Sequence, residues 1–237
     1  MKLALDERVI LYFDILGYKQ KFEEENFNSI EYLQTIRSVM SRVQEYAKTV
    51  GSIVLKIFSD NACMVFDTGD KGTGLSLAKI IAYELQQVLL EKYSVLIRGC
   101  ISYGEIYIDD DLVYGAGLIK CVEMEEQAEY PRIIIDSCLN GEIFSDAYGV
   151  LAKITDDYYE VTYLDGVVAG DESYDMLSVR NRIIEMTNKY CAKDLKQKAK
   201  VIKKYKWLVD TFNKLSFDLY IRVEKSTEQQ LKVSVNA

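Results

Sequence analysis

SIVLKIFSDNACMVF, residues 52–66, sets two runs of β-branched and apolar residues on either side of the short turn formers Ser59, Asp60 and Asn61. That is the signature of a β-hairpin with Asp60 at its tip. Upstream, Ile30, Leu33, Ile36, Val39, Met40, Val43, Tyr46 and Ala47 recur every three or four residues, which predicts an amphipathic helix. Before it, RVILYFDIL (8–16) is a near-continuous apolar run, suited to a strand covered on both faces and ended by Gly17. Downstream, Leu75, Leu77, Ala78, Ile81, Leu85, Val88 and Leu89 predict a helix from about Gly74 to Tyr93, and strand-like VLIRGCISYG (95–104) follows. Strand, helix, strand, strand, helix, strand is the ferredoxin-like split βαβ order, so the predicted fold class is α+β with a βαββαβ core. In that layout the first strand lies beside the hairpin. The strand end and the hairpin tip then converge, bringing Asp14 to Asp60.

Later segments extend this core. A glycine turn at 114–117 precedes a short helix to about Ala128, RIIID (132–136) and YYEVTYL (158–164) are strand-like, and 173–215 is mostly helical. Residues 217–237 suit a terminal hairpin or pairing with another subunit. With no Pro-, Gly- or Ser-rich linker, the expectation is one domain, 1–168, carrying a C-terminal helical extension, 169–237, packed on it.

Composition narrows the chemistry. With 29 basic and 37 acidic residues the net charge is −8, which disfavours an extended phosphate backbone and so a nucleic-acid partner, while a small metal-complexed anion stays acceptable. Histidine is absent, removing Ser-His and Cys-His nucleophile pairs and histidine metal sites. Carboxylates, Lys, Arg, Tyr or a metal must do any catalysis. Five cysteines, an odd number without a CxxC pair and each among apolar neighbours, predict reduced thiols in a cytoplasmic protein. Acidic Asp6, Glu7 and Asp14 break the first apolar run, no small-residue cleavage site follows it, and no stretch approaches a membrane span, so no membrane partner is expected.

Asp14 interrupts an apolar strand, where an uncompensated buried charge costs several kcal/mol. On its own it reads rather as a strand-end residue facing water or capping the next segment. Asp60 adds a second carboxylate, and two carboxylates bridging a pair of Mg²⁺ or Mn²⁺ ions suit phosphoryl transfer, where one ion activates the attacking oxygen and the other neutralises the leaving group.

On Phe13-Asp14-Ile15-Leu16-Gly17-Tyr18 and Lys56-Ile57-Phe58-Ser59-Asp60, the sequence resembles the class III adenylate and guanylate cyclases, which carry an F-x-D-I-x-G-F/Y strand end and a K/E-x-x-G-D hairpin. The resemblance spans roughly residues 8–164. It extends to a bacterial branch with I-R-G-x-x-x-G and YPRI-x-ID, matched here by Ile97 to Gly104 and Tyr130 to Asp136. That branch includes the pyrimidine cyclases of Pycsar antiphage defence, which make cyclic UMP or cyclic CMP as an alarm signal. The resemblance implies two Mg²⁺ or Mn²⁺ ions per site, held by Asp14 and Asp60 with the Ile15 carbonyl. It implies that backbone N–H groups of Leu16, Gly17, Tyr18 and Lys19 hold the β- and γ-phosphates, as a glycine-containing turn after a strand is able to do. It also implies a nucleoside triphosphate substrate with UTP favoured, a head-to-tail homodimer with sites at its interface, and a separate cyclic-nucleotide-binding effector that reads the product.

Departures from the family pattern bear on mechanism. The family's N-x-x-x-R, whose arginine stabilises the transition state, aligns with Ile119 and Glu123 here. Arg98, Lys120 or Arg132 are the cations that can replace it, with Arg98 placed among the catalytic residues and Arg132 among those touching substrate; loss of activity is the other reading. Lys56, four residues before Asp60, stands where the family reads the base. A lysine there suits ATP in purine cyclases, donates equally to a uracil carbonyl, and reads alternatively as an outward strand residue. The seven lysines and one aspartate from Lys193 to Lys206 read chiefly as a solvated helix face, with a phosphate-attracting surface as the alternative. Asp109-Asp110-Asp111 diverge too much to share one ion. The expected product is 3′,5′-cyclic UMP; cytidylate or adenylate cyclisation, or a degenerate nucleotide-binding module, are the alternatives.

Overall fold

The computed structural model describes residues 4–21, 28–50, 53–109, 111–143, 151–155, 158–164, 175–193, 198–215 and 221–235. The expected strand opens the fold as β1 (Asp6–Ile15), and a one-turn helix α1 (Tyr18–Lys21) and the long helix α2 (Ser29–Val50) follow. The hairpin forms as β2 (Ile53–Phe58) and β3 (Asn61–Phe66), so its turn is Ser59-Asp60 and Asn61 already belongs to a strand. Ser59 takes φ +57, the left-handed conformation that a two-residue hairpin loop demands and that a non-glycine residue adopts only at a cost. Helix α3 (Lys71–Tyr93) begins a turn earlier than the apolar stripe indicates, because Asp70 caps it, accepting from the Thr73 N–H at 2.7 Å. Then come β4 (Ile97–Ile108), the short β5 (Val113–Tyr114) and α4 (Ala116–Ala128).

Strand β6 is only Ile133–Ile135, shorter than its motif, because Asp136 leaves the ladder to cap a 3₁₀ turn at Ser137–Glu142, accepting from the Cys138 N–H. Strand β7 (Leu151–Lys153) had no signal in the sequence, whereas β8 (Tyr159–Val161) did. The main sheet runs β2-β3-β1-β4-β6-β8-β7, with β5 paired to β4. Its first four strands are the antiparallel α+β core anticipated above. The chain ends in α5 (Met176–Ala192), α6 (Lys198–Leu215) and the hairpin β9 (Ile221–Thr227) and β10 (Gln230–Val235). The expected boundary at 168 lies outside the described residues. Val179, Ile183, Ile202, Leu208, Phe212 and Leu231 share one buried cluster with β1 and α3, so the C-terminal elements pack on the sheet's own core.

Strand alternation sorts the side chains of β1. Val9, Leu11, Phe13 and Ile15 enter the large core with α2 and α3, while Ile10 and Tyr12 enter a second core with Cys121, Met124 and Ala128 of α4. Asp14 ends this second row. The β1–β4 pairing is unusually close: a Cβ on Gly99 would sit 2.7 Å from Phe13 Cα and run into the Tyr12 carbonyl. Gly99→Ala is therefore expected to force these strands apart at about 1–3 kcal/mol, the cost of overpacking, lowering the thermal midpoint by about 2–4 °C per kcal/mol. Thermal unfolding followed by circular dichroism measures it, and an unchanged midpoint contradicts the tight pairing.

Candidate active site

Register brings the two aspartates together. In the β1–β3 ladder Asp14 pairs with Asn61, in the β1–β4 ladder it pairs with Arg98, and the Ile15 N–H donates to the Asp60 carbonyl at 3.0 Å. Asn61 steadies the hairpin tip: its Nδ2 donates to Asp60 Oδ1 at 3.3 Å, and its Oδ1 accepts from the Tyr12 hydroxyl at 2.8 Å. Burial and the surrounding carboxylates push the Tyr12 phenol up to about 12, so it remains a donor.

Asp14 is mostly buried. Arg98 Nη2 lies 3.5 Å from its Oδ2 and also meets Glu125, which α4 carries over the same face. Burial raises the Asp14 carboxyl above the ordinary range, and nearby Asp60 raises it further, against the lowering effect of Arg98. Glu125 moves further, to about 7, through burial and then the neighbouring Asp14 charge. Each of the two carboxyls therefore holds its proton to a higher pH than it would in water.

The oxygens suit a hard cation. Asp14 Oδ1 is buried with no hydrogen-bond partner, and positive charge beside it offsets both causes of its raised affinity for a proton. No group of three or more ligating side chains occurs among the described residues, so phosphate, water or main-chain oxygens must complete any shell. Mg²⁺ accepts such a site, since it commonly binds one or two carboxylates plus substrate phosphates.

The other expected positions divide. The Leu16 N–H is not a phosphate donor, because it bonds the Leu96 carbonyl at 2.8 Å and extends the strand pairing. Gly17, at φ +80, turns the chain out of the sheet, and Tyr18 and exposed Lys19 open α1. Lys56 is half-buried on β2, and its charge is among those that lower the Asp109 carboxyl, after the hydrogen bonds from Tyr107, Asp111 and Leu112. Arg132 is held within its own chain: Nη1 meets Glu160 at 2.9 Å and Nε donates to the Ala128 carbonyl at 2.9 Å. Lys120 pairs with buried Asp136, which also accepts from Ser102 at 2.5 Å. Ile119 and Glu123 both lie exposed on α4.

Two residues escaped the sequence reading. Glu125 stands in the buried stripe Cys121, Met124, Glu125, Ala128, so a carboxylate in an apolar period was the missed signal. Lys204 lies in the lysine run set aside as a solvated face, yet it is half-buried and its charge acts on Asp14.

No protein-family profile matches the sequence, and no curated protein sequence matches it. Solved structures do match by fold. A monomeric guanylyl cyclase domain of the RhoGC fusion protein from the aquatic fungus Blastocladiella emersonii is 14% identical with a TM-score of 0.56, over 68% of this chain and 98% of that one. The guanylate cyclase domain of RhGC from Catenaria anguillulae, in complex with GTP, is 14% identical at TM-score 0.54, over 67% and 97%. The adenylyl cyclase CyaB from P. aeruginosa is 14% identical at TM-score 0.51, over 68% and 96%. This chain has the α+β fold of a nucleotide cyclase catalytic domain.

The raised Glu125 carboxyl has a signed consequence. A group that binds its proton more tightly folded than unfolded adds stability that is full below its ordinary 4.5 and is lost as pH rises to about 7. In metal-free protein, Glu125→Gln should remove that slope, gaining on the wild type steadily across this window. Urea unfolding at stepped pH tests it; parallel curves would show that Glu125 titrates normally.

Proposed function

We propose that this chain is a nucleotide cyclase that converts UTP to 3′,5′-cyclic UMP and pyrophosphate, with residues 1–168 as the catalytic unit. The observation that carries the reading is the β1–β3 register, which pairs Asp14 with Asn61 and ties the Ile15 N–H to the Asp60 carbonyl, together with an Asp14 oxygen that is buried without a hydrogen-bond partner. Asp14, Asp60 and the Ile15 carbonyl would hold two Mg²⁺ or Mn²⁺ ions, whose charge would favour the nucleophile and the leaving group.

Gly17, Tyr18 and Lys19 position the β- and γ-phosphates at the strand end. The substrate 3′-oxygen attacks its own α-phosphorus; the new O3′–P bond forms as the bond to the bridging oxygen breaks, and pyrophosphate leaves. Asp14 or water takes the 3′-hydroxyl proton. Because nucleophile and electrophile share one molecule, positioning and charge neutralisation supply most of the acceleration. Lys56 is the donor to a uracil carbonyl, and the FDILGY and YPRIIID motifs support uridine over a purine. They also support a cytoplasmic signalling role in bacterial antiphage defence, with the product read by a separate effector. No helix among the described residues is long and apolar enough to cross a membrane.

Self-association is supported by Leu112, Tyr114, Ile119 and Val122, large apolar side chains each exposed on β5, on α4 or on the segment before β5. A homodimer with sites at its interface would cover them. Ile119→Asp should then shift sedimentation toward monomer and lower turnover; an active monomeric wild type contradicts this interface. A second reading, a nucleotide-binding module without turnover, is favoured by Ile119 and Glu123 where the family has Asn and Arg.

Purified protein with Mn²⁺ and an equal mixture of four ribonucleoside triphosphates, its products identified by mass, separates these readings. Chiefly cyclic UMP is expected. Asp14→Asn and Asp60→Asn should each lower it by about a hundredfold or more, as for loss of one charge-stabilising group, with folding retained. Chiefly cyclic AMP, lost in Lys56→Ala, would establish a purine enzyme, and no cyclic product at all would leave the binding module.

A further inference from the structure

The cyclase reading, on which this inference rests, requires a cation for the separating phosphates. Each one nominated from the sequence is already paired within the chain: Arg98 with Asp14 and Glu125, Lys120 with Asp136, and Arg132 with Glu160. Helix α6 brings another. Trp207 stacks on Tyr130 with ring centroids 5.4 Å apart and planes 7° from parallel, and Lys203 Nζ lies 2.6 Å from Glu129 Oε1. Glu129 directly follows α4, and Glu125 lies one helical turn before it. The neighbour of Lys203 is thereby held at the end of α4 that carries Glu125.

That neighbour is Lys204. It is half-buried, and among the described residues its ammonium makes no hydrogen bond or contact ion pair; the charges that act on it are Arg98, Asp14, Glu125 and, from its own helix, Lys200. Burial and the Arg98 charge hold it below the ordinary lysine range, against the two carboxylates. Arg98 already meets the Glu125 carboxylate, so Lys204 is left as a partly desolvated point charge, the form in which lysine binds phosphate.

We propose that Lys204, reaching in from the C-terminal helix, binds the triphosphate at the Asp14–Asp60 site and offsets the charge that builds as pyrophosphate separates, in place of the arginine missing from α4. The extension is then part of the active site, and the cation comes from the same chain that carries both aspartates.

Mn²⁺ with inorganic tripolyphosphate is a probe independent of base and turnover, and calorimetry on the full chain reads its binding. Lys204→Ala and Lys204→Met, the latter keeping the aliphatic packing of α6, should weaken it by about tenfold to a hundredfold, the worth of one charged hydrogen bond. Both should lower kcat for the best nucleotide by about a hundredfold or more. Lys204→Arg should recover tripolyphosphate binding to near the wild-type value, a rescue that a packing role would not produce. Lys206→Ala, which removes only the exposed pair with Asp210, should change neither. Wild-type binding and turnover in both Lys204→Ala and Lys204→Met would overturn the assignment while leaving the cyclase reading intact. Lys204-dependent binding of tripolyphosphate by a wild type that cyclises no nucleotide would do the reverse.

Discussion

The antiparallel register of β1 between β3 and β4 is the constraint on which the rest depends. Side chains alternate along a strand, so a slip of one residue would carry Asp14 to the face of Phe13 and Ile15, into the large core, and away from the polar row it completes. That register is held by the packing of both faces of β1 and by Gly99, whose missing side chain lets β4 approach the Tyr12 and Phe13 backbone. The aspartate occupies the last position but one of the strand, where the second core gives way to partial solvent access. A carboxylate is tolerable there and would not be two residues earlier, at buried Tyr12.

Charge is concentrated at this strand end to a degree that works against stability. Three carboxylates, Asp14, Asp60 and Glu125, and two cations, Arg98 and Lys204, lie in one region, where burial raises Asp14 and Glu125 and lowers the lysine. Arg98 holds two of the acids together, yet an Asp14 oxygen remains without a partner. Polar groups left incompletely satisfied in this way are commonly found where a ligand completes them. The cost is borne by the opposite face, where α2, α3, α5 and α6 bury a continuous apolar cluster against the sheet.

Helix α4 has two faces with different duties. Its Cys121, Met124 and Ala128 close the second core, and Glu125 joins the charged row. Its outward face shows Ile119 and Val122 to solvent. The C-terminal helix α6 leans on the end of α4 through Tyr130, Trp207 and the Lys203–Glu129 pair, and Arg132 fills the same corner with its guanidinium 5.3 Å from the Tyr130 ring. Motif residues in YPRIIID thus serve packing: Tyr130 and Arg132 seat the extension, and Asp136 caps a turn while neutralising Lys120.

The order of strands and helices through residue 108 and the hairpin at residues 53–66 were legible in the sequence, because they follow from periods of two and 3.6 residues and from turn chemistry, all of them local, and the approach of Asp14 to Asp60 was expected only through the layout that this order implies. It also marked Phe13 to Tyr18 and Lys56 to Asp60 as candidate stretches for a site. What it could not determine was how the charges are shared. Arg98 with Glu125, Arg132 with Glu160, Lys120 with Asp136, the Leu16 amide on Leu96 and the approach of Lys204 all join residues from separate elements, and β7 had no local pattern at all. These are set by packing, since ion pairing and desolvation depend on which surfaces it brings within a few ångströms, and the periodicity of a single segment carries no record of its neighbour.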